Sequence, residues 1–177
     1  MSKVNWNLDP THSEVGFKVK HMMITNVSGN FGDFSVSASS DGDDFSNPEI
    51  SFSAKTASVN TGNEQRDGHL KSPEFFDSEK HPDLVFKATK MEKVNAENYT
   101  LHGNLTIKDV TKPVSLNAEF GGIGKDPWGN VKAGFTITGK INRKDFGLNW
   151  NAALETGGVM VSEEVRINSE IQLVKAN

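Results

Sequence analysis

Apolar and polar residues alternate with a period of two along most of this chain, and that pattern limits the possible folds more than any motif does. Val15, Phe17 and Val19 alternate with Glu14, Lys18 and Lys20, so this segment reads as a strand with one dry face and one wet face. The same parity recurs at Phe34/Val36/Ala38, Ile50/Phe52/Ala54, Leu84/Phe86/Ala88 and Leu101/Leu105/Ile107. It continues at Val114/Leu116/Ala118/Phe120, Phe135/Ile137/Ile141 and Val165/Ile167/Ile171/Leu173, which makes eight expected strands. Turn signals between them are Asp41-Gly42, Asn95 to Asn98, Gly121-Gly122, Asp126 to Asn130 and Gly157-Gly158. Short connections imply antiparallel neighbours, and wet-dry alternation is unlike the continuously apolar strands of a parallel sheet covered on both faces. Such a sheet either splits into a sandwich or closes into a barrel. Closure removes the edges and, at about eight strands, leaves an interior that side chains fill or that holds one small ligand. The expected fold is all-β: a closed, eight-stranded antiparallel barrel forming a single domain over residues 1–177.

The stretch from Thr61 to Pro82 departs from the alternation. Thr61-Gly-Asn-Glu64 fits a capping box, and Ser72-Pro73 offers a second helix start. Two short helices are expected, at 63–70 and 73–76, placed to shade one mouth of the barrel. In one reading Arg66 and His69 bond a polar headgroup while Phe75 and Phe76 line the entrance. In the other, Arg66 and Asp67 brace the helices and the phenylalanines anchor the segment to the sheet. The residues alone favour the second.

Composition removes several function classes. The net charge of -4, with lysines scattered and no basic cluster, argues against a nucleic-acid partner. The absence of cysteine excludes disulfides, thiolate metal sites and a cysteine nucleophile. No window has the roughly 18 to 20 apolar residues of a membrane-spanning helix. The first ten residues contain no signal-peptide core, which leads to a cytoplasmic expectation for the chain as written and a periplasmic one if a leader has been removed. The histidines at 12, 21, 69, 81 and 102 form neither His-x-x-x-His nor His-x-His, so no metal is expected. His102, with Thr100 and Thr106, falls on the face opposite Leu101 and Leu105. Ser13 beside His12 would point to the opposite face of a strand, and no glycine-flanked serine elbow exists. The pairs Asp43-Asp44 and Glu163-Glu164 sit in polar surroundings, and Asp41-Gly-Asp-Asp44 does not fit a calcium loop. No catalytic constellation results, and the chain is expected not to be an enzyme. Phenylalanines 17, 34, 52, 86, 120 and 135 all fall on the inner face, either as packed core or as the wall of a ligand cavity.

The ordered runs Asp9-Pro-Thr-His12-Ser13, Val15-Gly-Phe17, Lys20-His21-Met22 and Val27-Ser-Gly29-x-Phe31 resemble the YceI-like, or polyisoprenoid-binding, proteins. So do Asn63-Glu-Gln-Arg66-Asp67-Gly-His69-Leu70 through Phe75-Phe-Asp77, Leu101-His102-Gly103-x-Leu105, Thr111-Lys-Pro113-Val114, Gly134-Phe135 and Ile141-Asn142-Arg143-Lys-Asp145-Phe146-Gly147-Leu148-x-Trp150. The resemblance spans nearly the whole chain. It implies a lipocalin-like barrel enclosing a long isoprenoid or quinone-type lipid, often in a homodimer, with family roles in stress response or quinone-related physiology. Matching positions imply Phe17, Phe52, Phe86, Phe120 and Phe135 along the tail tunnel and His21, Arg66, His69, Asn142 and Arg143 at its mouth. A structural alternative for 142–147 is an Arg-Asp pair and a glycine that shape the loop into Trp150. The chain departs from the family at Asp109, where glycine is frequent. Three functions follow as candidates: a lipid carrier, an enzyme acting on such a lipid, and an interaction module with a filled barrel. The carrier is expected to have a lipid as its partner, no other cofactor and no nucleic acid.

Overall fold

A computed structural model describes residues 3–151 and 160–176; the Gly157-Gly158 turn signal lies outside them. The strands are β1 (Lys3–Leu8), β2 (Glu14–His21), β3 (Thr25–Phe31), β4 (Phe34–Asp41), β5 (Asp44–Lys55) and β6 (Val59–Asn60). They continue as β7 (Asp83–Lys93), β8 (Asn98–Ile107), β9 (Val110–Lys125), β10 (Val131–Asn142) and β11 (Glu164–Lys175). One α-helix, α1 (Glu64–Lys71), lies between β6 and β7.

All pairings are antiparallel, and β1-β4-β5-β7-β8-β9-β10-β11 closes on itself through Trp6↔Lys175. The remaining segments extend this eight-stranded wall. β2 follows β1 along β11, from Glu14↔Glu170 to Arg166↔Lys18. β3 pairs with β2 just as β4 pairs with β1, and β6 continues β5 by pairing Phe31↔Val59. Three of the eight wall strands are therefore broken in two. The first break is chemical: Pro10 has no N–H for the ladder, and Asp9 caps the 3₁₀ turn Pro10–His12 by accepting from Thr11 N–H at 3.2 Å. Every strand expected from the alternation is present, as β2, β4, β5 and β7 to β11. β1, β3 and β6 complete the wall.

Two local expectations need correction. Gly121-Gly122 is not a turn but a bulge inside β9, where Gly134 pairs with Gly122 and Phe135 with Phe120. The Thr61 capping box does not form, because Gly62, at φ +81°, turns the chain and leaves Asn63 as the cap. Asn63 accepts from Arg66 N–H at 3.0 Å. The residues expected to form a second helix at 73–76 form successive turns instead, since Ser72 N–H returns to His69 O at 3.1 Å and ends α1.

The wall sorts side chains as its parity requires. Ser35, Ser37 and Ser51 face out and are exposed, while Trp6, Ala38 and Ala54 are buried. This is the reverse of a barrel whose outer wall meets lipid. Among the described residues, no helix is long and apolar enough to cross a membrane.

The β4–β5, β7–β8 and β9–β10 turns share one end of the barrel, which is plugged by aromatic rings. Phe45 lies 5.3 Å from Trp6, 5.7 Å from Phe120 and 5.1 Å from Phe135, measured between ring centroids. Trp6 is only 1% exposed, and its indole N–H reaches Ser40 Oγ at 2.8 Å, so its one polar atom is satisfied. The opposite end, with the β2–β3 turn, α1 and the β10–β11 connection, is built differently.

Candidate functional site

Above the aromatic plug the barrel is hollow. A cavity of about 600 Å³ runs up from Phe45 and Phe135 and is lined mainly by apolar side chains from β2, β3, β4, β5, β7, β8, β9, β10 and β11. Most small-molecule sites fall between about 300 and 1,000 Å³. Among the described residues, and apart from Ser169, the polar side chains on its wall all belong to the open end: Lys20, His21, Thr61, Asn63, Gln65, Arg66, His69 and Arg143. The site is thus an oily shaft with a polar mouth at one end.

Glycines facing inward keep the shaft open. An ideal Cβ at Gly103 would lie 2.4 Å from Phe86 Cζ and 2.6 Å from Lys87 O, so the Phe86 ring occupies the space that a side chain would take. Gly29 serves Phe17 in the same way, with Phe17 Cζ 2.4 Å from its ideal Cβ. Each ring lies against a neighbouring strand instead of pointing at the barrel axis.

Of the expected tunnel residues, Phe17, Phe52, Phe86 and Phe135 line the cavity. Phe120 does not: its ring packs 5.1 Å from Phe135 and 5.7 Å from Phe45, behind the two rings that face the hollow. Among the expected mouth residues, His21, Arg66, His69 and Arg143 line the cavity and Asn142 does not. Asn142 instead caps the 3₁₀ turn Arg143–Phe146, accepting from Lys144 N–H at 3.0 Å.

The mouth residues are held firmly by the protein itself. Arg66 donates from Nε to Thr61 Oγ1 at 2.7 Å and from Nη2 to Thr61 O at 2.8 Å. Asp67 accepts from Thr61 N–H at 2.9 Å and from its hydroxyl at 2.6 Å, so Arg66 and Asp67 do brace the helix entry. His69 pairs with Glu74 and meets Phe75 and Trp150 edge-on at 5.0 and 4.7 Å. Arg143 is 2% exposed and spans the β10–β11 connection, donating to Ser162 O at 2.8 Å, Leu148 O at 2.5 Å and Val161 O at 3.3 Å. Burial lowers its guanidinium pKa, and Glu163 opposes that shift. The Arg-Asp pair considered for this loop is replaced by these carbonyl contacts, while Gly147, at φ +79°, makes the expected turn.

The remaining histidines have separate partners: His12 with Asp9 at 2.9 Å, His81 with Asp109 at 3.4 Å, and His102 with Ser115 Oγ at 2.8 Å and Glu92 at 3.1 Å. Among the described residues, no group of three or more His, Cys, Asp or Glu side chains could hold a metal ion.

Sequence reasoning missed Phe45, the floor of the cavity, and Trp6 beneath it. Trp6 had a readable signal, since Val4, Trp6 and Leu8 alternate. Phe45 did not, because its number has the opposite parity to Ile50 and Phe52, and the register shifts between Ser39 and Asp41.

A family model for the YceI-like domain matches residues 6–173. A UPF0312 protein of Staphylococcus aureus is 37% identical over 169 residues, 95% of this chain and 96% of its own. A Campylobacter jejuni YceI protein of known structure is 38% identical, with a TM-score of 0.77 over 96% of this chain and 97% of its own. A polyisoprenoid-binding domain from Saccharophagus degradans, implicated in plant cell wall breakdown, shares the fold at 14% identity, with a TM-score of 0.67 over 97% of this chain and 98% of its own.

Proposed function

The chain belongs to the YceI-like family, and from that premise we propose that it binds and carries one long apolar lipid of the polyisoprenoid or isoprenoid-quinone class, tail down in the shaft. The reading rests on the apolar hollow of about 600 Å³, open at one end, where nearly all of its polar side chains gather. A tail gains about 0.8 kcal/mol for each CH₂ taken from water, so it needs almost no directed contact along the wall. Water gains little from filling an apolar hollow of this size, so an apolar chain displaces it favourably. A filled shaft is therefore the favoured working state, and the interaction module with a solid interior is disfavoured.

In this reading Phe17, Phe52, Phe86 and Phe135 contact the tail, and His21, Arg66, His69 and Arg143 contact the head. The polyisoprenoid-binding description of the Saccharophagus domain supports the choice of lipid class. Binding is favoured over catalysis because the two arginines of the mouth are held in place by the protein itself, Arg143 by three carbonyls and Arg66 by Thr61.

The test is a thermal melt of delipidated protein with and without a polyprenol. At 100 times its Kd a ligand adds about 2.7 kcal/mol, which is about 5–10 °C for a chain of this size. A melting temperature that polyprenols, isoprenoid quinones and their phosphates all leave unchanged would overturn the proposal.

A further inference from the structure

The β2–β3 turn presents Met22, Met23 and Ile24 to solvent at 40%, 54% and 76% exposure. Scattered apolar residues on a surface need no explanation, but three in succession at a hairpin tip do. The backbone adds a second anomaly. Met22 and Met23 sit at φ +53° and +64°, and Ile24 N–H closes the turn on His21 O at 3.2 Å. A turn with two left-handed central residues favours asparagine and glycine, and here it carries two methionines instead. Local folding therefore does not account for the residues at this tip.

The tip also stands beside the mouth. Its first residue, Met22, bonds Met160 O at 2.7 Å, and the neighbouring His21 lines the cavity and bridges to Val161. Below it, on the outer face, cations lie in a row across three strands, with Lys140 opposite Arg166 and Arg166 opposite Lys18. Lys20 follows Lys18 toward the tip, and both are exposed. Among the described residues one carboxylate, Glu164, serves the row, at 3.8 Å from Lys140 and 3.6 Å from Arg166, while the nearby Glu163 is taken by Lys144 at 2.9 Å. Like charges placed directly across a sheet repel, so this arrangement too works against the fold unless something anionic covers it.

We propose that the Met22-Met23-Ile24 tip and the Lys18–Arg166–Lys140 row dock the barrel, mouth first, on an anionic phospholipid surface. The apolar side chains enter the boundary between headgroups and acyl chains, and the cations meet the lipid phosphates. A second copy of this chain fits less well. A two-fold contact would place the basic row against itself, and three residues at a tip fall far short of the roughly 800 Å² per partner of a stable interface. The inference stands apart from the cargo, because vesicle association reads the tip and lipid extraction reads the shaft.

The test is flotation of the full chain with vesicles of pure phosphatidylcholine and of phosphatidylcholine containing phosphatidylglycerol. Wild type is expected to float with the anionic vesicles and to be released by high salt. M22N/M23G supplies the turn with the residues it favours, so this variant keeps or raises its melting temperature while losing at least tenfold in vesicle association. I24S, at an exposed position, and K18Q/K140Q each lose severalfold. Three results would overturn the proposal: wild type that stays in solution with anionic vesicles, M22N/M23G that floats as well as wild type, or a dimer in solution that M22N/M23G converts to monomer.

Discussion

The two ends of this barrel draw on the same kinds of residues and use them in opposite ways. At the plugged end, Trp6, Phe45, Phe120 and Phe135 point inward and touch one another, with ring centroids 5.1 to 5.7 Å apart. At the hollow end, the Phe17 and Phe86 rings occupy the space beside Gly29 and Gly103 and line an apolar cavity. Hydrophobic content thus does not separate a core from a cavity; what the strand opposite each ring offers does. An inward glycine gives a ring on the neighbouring strand somewhere to lie.

Paired truncations should break this contrast if it is wrong. Phe45→Ala should cost about 3–5 kcal/mol in chemical denaturation, as expected for a ring enclosed by others. Phe52→Ala, whose ring faces the shaft and is half-buried, should cost only about 1–2 kcal/mol. Equal costs would mean that the two ends are packed alike.

Between the ends, Asp9 ties the break after β1 to β10. Lys132, at 2.9 Å, with Thr11 and His12, holds the Asp9 carboxyl well below the usual carboxylate range against the opposing effect of burial. An unfolded aspartate titrates near 3.9, so the stability contributed is complete above about pH 5 and is lost as pH falls through the lower folded value. Asp9→Asn should therefore cost about 2 kcal/mol at neutral pH, and its stability curve should converge on that of wild type in acid. A gap that stays constant down to pH 2 would show that the charge contributes nothing.

Gly103→Ala probes the hollow end directly. The added methyl meets backbone at Lys87 O as well as the Phe86 ring, so it should cost about 1–3 kcal/mol and push the ring into the shaft, lowering lipid retention. An unchanged stability and lipid load would remove the glycine from the account.

The smallest effect belongs to the β8–β9 turn. Lys108 and Asp109 sit at φ +52° and +63°, a region that glycine enters without strain. Asp109→Gly should stabilise by about 0.5–1 kcal/mol, since the His81 pair it gives up, at 3.4 Å, involves a carboxylate that is 89% exposed.

The wall of the barrel was legible because period-two alternation survives wherever the ladder is regular, and eight such stretches are enough to close a ring. Legibility ended where the period is interrupted. Pro10 splits one wall strand into β1 and β2, the β4–β5 irregularity inverts the parity of Phe45, and the Gly121 bulge reads in sequence as a turn. The site was legible in part. Phe17, Phe52, Phe86 and Phe135 follow from parity, whereas Phe120 has the same parity but lies behind other rings. At the mouth, a charged residue in a loop looks alike whether it waits for a ligand or holds the chain together. Only the carbonyls of Leu148, Val161 and Ser162 around Arg143 tell these roles apart, and they lie 5 to 19 residues away along the chain.

The most direct test is intact-mass spectrometry, under non-denaturing conditions, of protein purified from its own host. The expected result is a mass excess equal to one long apolar molecule per chain, removable by organic solvent and reduced severalfold in Phe52→Trp, which overfills the shaft. The mass of the bare chain alone, with added polyprenol never retained, would contradict it.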